Sequence, residues 1–291
     1  MQSLPRLSPL SDMPKADTHA MEAVRAADHD RYLSALYAPD DKRQSLFALY
    51  AFNAEIASIR DRIREPLPGE VRLQWWRDVL DGRTSADGHP LAEDLLEAIR
   101  THALPVATFQ NYLDARIFDL YDDPMPSRND LEGYCGEVAS ALILLASMVL
   151  DASAAPRFAE AAGHAGCAQA ITGLLRLLPI HRARGQCYVP GDILAAAGVS
   201  PHEFLTSDGE AGAARAVSAM AALARQHLSA FESQAVTLPE TLRPAFLPLA
   251  LAGAYLDRIE KNPAAILAQT IGLPTWRRHW LMVRKASVGW R

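Results

Sequence analysis

Few residue types in this 291-residue chain stand at spacings that could do chemistry. Glu55 and Asp61 lie six residues apart, near opposite edges of one helical face, in a segment that also carries Arg60 and Arg62. Carboxylates on a helix are hard-cation ligands, so the two could form a cation or polar site. Pairing of Asp61 with a neighbouring arginine is the competing reading. His181 follows Pro179 by two residues. A neutral imidazole can bind a metal or exchange a proton near neutral pH. No HxxxH or HxxE partner accompanies it, and a hydrogen-bonded loop histidine fits the same pattern. Asp119, Asp122 and Asp123 form a dense acidic group. A calcium loop needs a central glycine and regularly spaced ligands, whereas Pro124 and Pro126 interrupt this one, so a solvated turn is expected. Cys135, Cys167 and Cys187 are odd in number and lack CxxC spacing, which argues against a disulfide framework and a zinc module.

The elements that must position these groups read as helices. Alanine, leucine and glutamate dominate and β-branched runs are few. The spacing predicts helices over 21–38, 42–64, 70–80, 91–102, 106–121, 130–150, 155–178, 210–231 and 240–260, with 182–191 irregular. Pro179 is expected to stop the helix over 155–178. Of the adjacent Trp75 and Trp76, only one can be centred in a core, because neighbours point about 100° apart on a helix. No repeat or linker divides the chain. The expected organisation is a disordered leader over 1–20, one all-α domain over 21–265 and a basic tail over 266–291.

Composition narrows the function. The chain is 49% hydrophobic and carries a net charge of −5, with a pI near 6.0, which argues against general nucleic-acid binding. The longest uncharged apolar runs, Val138–Leu150 and Pro244–Leu256, are shorter than the roughly 20 residues of a membrane-spanning helix and read as buried helices. The first 20 residues lack an apolar signal region, so a cytoplasmic location is expected. Alanine occurs 51 times, and three of five tryptophans lie in the last 16 residues. In that tail Trp276, Trp280 and Val283 share one helical face, and Arg277, Arg278, Arg284 and Lys285 lie largely off it. This combination suits an interfacial helix on anionic lipid. The same residues could instead dock on the domain.

Four segments carry a resemblance. Arg43-x4-Ala48-Leu49-Tyr50-Ala51-Phe52, Arg72-Leu73-x-Trp75-Trp76-Arg77, Tyr134-Cys135-x2-Val138-Ala139-Ser140, and Thr172-x3-Arg176 followed by Arg184-Gly185-x2-Tyr188-Val189-Pro190 occur in order over roughly 28–260. Together they resemble the squalene/phytoene synthase family. The resemblance implies an isoprenoid synthase fold, helices around a central cavity. It also implies condensation of prenyl diphosphates held by Mg²⁺ between two aspartate-rich helices. It nominates Arg43, Tyr50, Arg176, Arg184 and Tyr188 as substrate- or anion-binding residues.

The chain departs from the family where the metal would bind. The first aspartate-rich motif falls on Ala57, Ser58 and Asp61, and the second on Leu177 and His181. Of these positions only Asp61 keeps a carboxylate. Asp61, Glu55 and His181 are the remaining catalytic candidates, and Asp61 is the one metal candidate. Phe52-Asn53-x-Glu55-x4-Arg60-Asp61, Ala115-Arg116-x2-Asp119-Leu120 and Leu175-Arg176-x2-Pro179-x-His181 resemble the branch of the family that contains a mitochondrial complex I assembly factor and its bacterial relatives. That resemblance implies a non-catalytic role without a cofactor. It also implies a complex I subunit or assembly intermediate as partner, and a peripheral place on the inner membrane. The alternative is a Mg²⁺-dependent prenyltransferase making squalene, phytoene or a related isoprenoid.

Overall fold

Small side chains let helices approach closely, and the computed structural model, which describes residues 15–206 and 209–290, is built on that property. The chain runs through α1 (Lys15–Ala27), α2 (His29–Ala35), α3 (Asp40–Ala57), α4 (Ile59–Arg62), α5 (Pro66–Leu80), α6 (Pro90–His102), α7 (Val106–Arg116), α8 (Arg128–Cys135) and α9 (Ala141–Leu150). It continues through α10 (Ala159–Arg176), α11 (Leu178–Ala183), α12 (Gly191–Ala196), α13 (Pro201–Leu205), α14 (Glu210–Gln234), α15 (Arg243–Phe246), α16 (Ala252–Lys261) and α17 (Thr275–Val288). No strand occurs among the described residues. The architecture is all-α, as expected.

The long helices α10 and α14 pack on each other, and buried alanines such as Ala165, Ala168, Ala216, Ala221 and Ala224 let them do so. Helix α3 lies among α1, α6 and α9 and is buried through Phe47, Leu49, Tyr50 and Phe52. A π-helical turn, Gly136–Ser140, joins α8 to α9, and α10 presses on it. A Cβ on Gly166 would lie 2.3 Å from the Ser140 backbone nitrogen, so only glycine permits that approach. The combined helix Arg128–Leu150 is long and apolar enough to cross a membrane by length and composition, but 67% of its most apolar stretch is buried inside the protein. It is a core helix.

Several boundaries differ from expectation for identifiable reasons. The helix expected over 21–38 breaks at Asp28, whose carboxylate accepts a hydrogen bond from the Arg31 backbone N–H at 3.0 Å and caps α2. The helix expected over 42–64 breaks at Ser58, which places Asp61 in the separate turn α4. Helix α5 starts earlier than expected because Pro66 suits a first helical turn. The α10 helix ends at Arg176, ahead of Pro179, yet Pro179 then opens α11, so His181 is helical and not in a loop. The segment over 240–260 is divided by Pro244 and Pro248 into short turns ahead of α16.

Of the expected leader, residues 1–14 lie outside the described residues. Residues 15–20 belong to α1, and Ala20 is buried. The tail does not separate at 266. Ile266 and Leu267 sit in the main core, and α17 docks through buried Met282. Buried Trp290 meets Phe231 edge-on at 5.2 Å. Trp76 is fully buried against Phe52 and Trp75 is half-buried, as adjacency requires.

Candidate functional site: a central polar cavity

The helices enclose a cavity of about 660 Å³, within the range of small-molecule sites. Its wall is assembled from the α1–α2 junction, the C-terminal half of α3, α4, the end of α7, the π turn, and α10, α11 and α16. Five arginines and four aspartates line it, together with apolar side chains such as Val138, Leu174, Leu177 and Leu251.

One side of the wall is a closed hydrogen-bond network. The Asp119 carboxylate accepts from Arg116 Nη1 at 2.8 Å, the Tyr134 hydroxyl at 2.8 Å and the Tyr188 hydroxyl at 2.9 Å. Arg116 Nε donates to the Tyr112 hydroxyl at 3.2 Å, which donates to Asn53 Oδ1 at 2.9 Å. Gln186 Nε2 donates to the Asp119 carbonyl at 3.3 Å. Burial, reinforced by the Asp119 charge, pushes the Tyr188 hydroxyl well above its ordinary range. Asp119 is thus a buried hub, contrary to the solvated acidic turn expected. Asp122 does stay at the surface, paired with Arg60 at 2.9 Å.

The remaining carboxylates are also engaged. Asp61 pairs with Arg184 across the cavity edge, joining α4 to the end of α11. Asp28 pairs with Arg31, and Asp30 pairs outward with Arg278 of α17. Arg176 has no carboxylate partner among the described residues. Its guanidinium lies 3.8 Å from the Tyr255 ring centroid, and its Nε is buried without a hydrogen-bond partner. His181 sits one turn on, its ring 4.9 Å from that of Tyr188, and its Nδ1 is also buried without a partner. Burial, helped by the nearby Arg184 charge, lowers the His181 pKa to about 4, so the imidazole is neutral at pH 7.

The structure brings Asp61, Arg176, His181, Arg184 and Tyr188 together around this cavity and leaves out Glu55, Arg43 and Tyr50. Glu55 is held on the other side of α3 by Arg72 and Arg62. Burial would raise its carboxyl, but those arginines outweigh it and hold the group below the usual range. Arg43 donates to the carbonyls of Ala38 and Leu36 at 3.0 Å each and pairs with Asp40, fastening the turn from α2 to α3. Tyr50 is buried beneath Arg31, with its hydroxyl pushed up to about 12 by burial. Both lie outside the cavity lining and serve the turn and the core.

The site residues that sequence reasoning missed are Asp28, Asp30, Arg31, Arg116 and Gln186. Two local signals were available: an aspartate poised as an N-cap at position 28, and an Arg–Asp pair at i, i+3 in Arg116 and Asp119. In the tail, Trp276, Trp280 and Val283 are 72%, 55% and 49% exposed. Arg284 lies 5.7 Å over the Trp280 ring and Lys285 Nζ lies 5.5 Å over that of Trp290. Arg278 is spent on Asp30, and Arg277 is half-buried.

A Mg²⁺ site does not fit this donor set. The positions where the family's metal ligands would stand carry Ala57, Ser58, Asp61, Leu177 and His181, and Asp61 is neutralised by Arg184. Among the described residues no group of three or more histidines, cysteines, aspartates or glutamates is placed to hold a metal.

Residues 24–284 match the squalene/phytoene synthase family. The chain is 30% identical over 277 residues to the bovine (Bos taurus) protein described as NADH dehydrogenase (ubiquinone) complex I, assembly factor 6, covering 91% of this chain and 83% of that one. It is 28% identical over 195 residues to the presqualene diphosphate synthase of Sinorhizobium fredii, covering 66% and 70%. Among solved structures it resembles a dehydrosqualene synthase in complex with ligand, at 19% identity and a TM-score of 0.76 over 94% of this chain and 96% of that one.

Proposed function

The chain belongs to the squalene/phytoene synthase family, and we propose that it serves there without prenyl-transfer chemistry, as an assembly factor for respiratory complex I at a membrane surface. The observation that carries the reading is the state of the cavity wall. Ionising a prenyl diphosphate calls for two or more Mg²⁺ held by carboxylates. Here one carboxylate remains at those positions, and a guanidinium occupies it. The assembly role is supported by relatives of that description, which match over most of this chain's length. Its partner is a complex I subunit or assembly intermediate.

Peripheral attachment to the inner membrane from the cytoplasmic side is part of the same proposal. Its support is α17, which presents Trp276, Trp280 and Val283 outward beside Arg284 and no acidic residue.

The competing reading is a Mg²⁺-dependent prenyltransferase. Incubating the full-length chain with farnesyl or geranylgeranyl diphosphate and Mg²⁺ separates the two. The expected result is diphosphate release no faster than in the protein-free control. Release that disappears in Asp61→Ala would establish the transferase instead.

A further inference from the structure

The charges around the cavity can be matched one to one. Asp28 answers Arg31, Asp119 answers Arg116, and Asp61 answers Arg184. Arg60 is answered from outside by Asp122, and Asp30 by Arg278. Among the described residues a single lining charge is left over, the guanidinium of Arg176. Its Nε is buried without a hydrogen-bond partner, as are Arg60 Nε and His181 Nδ1 on the same wall. A guanidinium on the cavity wall with no carboxylate to answer it is a counter-ion ready for an anionic group. The cavity is lined as well by apolar side chains, Val138, Leu174, Leu177 and Leu251 among them.

We propose that this cavity binds, without any metal ion, an amphiphile whose head is a single singly charged oxyanion and whose chain is apolar, with Arg176 as the counter-ion. The head receives hydrogen bonds from the guanidinium fork, which lies over the Tyr255 ring. The chain lies along the apolar wall. One positive charge neutralises one negative charge. A diphosphate, with several, would leave an uncompensated excess in a cavity whose other arginines are already committed. The site therefore selects against the multiply charged heads that need Mg²⁺. Phosphodiester lipids and long-chain carboxylates share the required chemistry, and the test separates these two sources.

This inference rests on the non-catalytic reading of the cavity, but its test does not involve complex I. Purified full-length protein, delipidated and kept in EDTA, is titrated with lysophosphatidylglycerol, with palmitate and with farnesyl diphosphate, and occupancy is read by native mass spectrometry. The expected result is one equivalent of lysophosphatidylglycerol or palmitate, bound roughly tenfold or more tightly than farnesyl diphosphate. The better of the two probes identifies the head. Arg176→Met should weaken that probe by roughly tenfold or more, the scale of a charge-assisted contact, and Arg176→Lys should restore part of it. Arg176→Met should also raise the melting temperature of the delipidated protein, because an unanswered charge is removed. No binding of either probe in EDTA would overturn the proposal, as would tighter binding of farnesyl diphosphate. Unchanged affinity in Arg176→Met, or a lowered melting temperature there, would overturn it equally. Prenyl-diphosphate turnover would defeat the non-catalytic reading separately, whatever the titration in EDTA gives.

Discussion

At the residue scale, identical chemistry is assigned different work by burial. Asp119, Asp122 and Asp123 are indistinguishable by local pattern, and all three read as a solvated turn. Only the long-range packing of α8 and the irregular segment at 186–189 around the end of α7 selects Asp119, through Tyr134, Tyr188 and Arg116. Asp119→Asn removes the charge that balances a buried Arg116. It should cost about 3 kcal/mol, the usual scale for breaking a buried pair, measurable by urea unfolding. His181 carries a pH signature. Its pKa is about 4 in the folded chain against an ordinary 6.5, so between these values the unfolded state binds the extra proton. The contribution of His181 to stability is therefore full above about pH 6.5 and falls as the pH is lowered to about 4. Unfolding measured across this window should show wild type losing stability relative to His181→Gln. Parallel pH curves would mean the imidazole is solvated.

At the element scale, periodicity located nearly every long helix, because the apolar faces of α3, α6, α10 and α14 repeat at helical spacing. It missed breaks that depend on a single capping side chain, as at Asp28, and short helices such as α12 and α13, the latter set by the Ser200–Glu203 capping box. It could not show that α10 touches the π turn. Gly166→Ala tests that contact. The added methyl would stand 2.2 Å from Ser140 Oγ and 2.3 Å from its backbone nitrogen, and backbone cannot yield cheaply. A loss of about 1–3 kcal/mol is expected from overpacking, seen as a lowered melting temperature. The tail separates two roles within one helix. Met282 and Arg278 hold α17 to the domain, while Trp276 and Trp280 face outward. Trp276→Ala with Trp280→Ala should reduce co-sedimentation with anionic liposomes about tenfold without changing stability, since each exposed indole offers roughly 1.5–3 kcal/mol of burial. Added salt should weaken the wild-type interaction as Arg284 is screened. Equal sedimentation of the two proteins would remove α17 as the membrane contact.

At the scale of the whole molecule, the all-α architecture and the family were legible in the sequence because four motifs occur in order along one chain. The candidate site was half legible. Asp61, Arg176, His181, Arg184 and Tyr188 do meet around the cavity. Arg43 and Tyr50 carry the family's motif yet serve the turn and the core, because a motif records that a residue is placed and not which way it faces. The family's helical architecture surrounds the cavity, and the positions of its metal ligands carry apolar, neutral or ion-paired residues.

The central claim is that this shell now assists complex I assembly, and the most direct test is a strain in which the gene is deleted. The account predicts that NADH:ubiquinone oxidoreductase activity and assembled complex I are lost from its membranes, with other respiratory enzymes spared, and that the Asp61→Ala chain restores both. Membranes with normal assembled complex I in the deleted strain would contradict it.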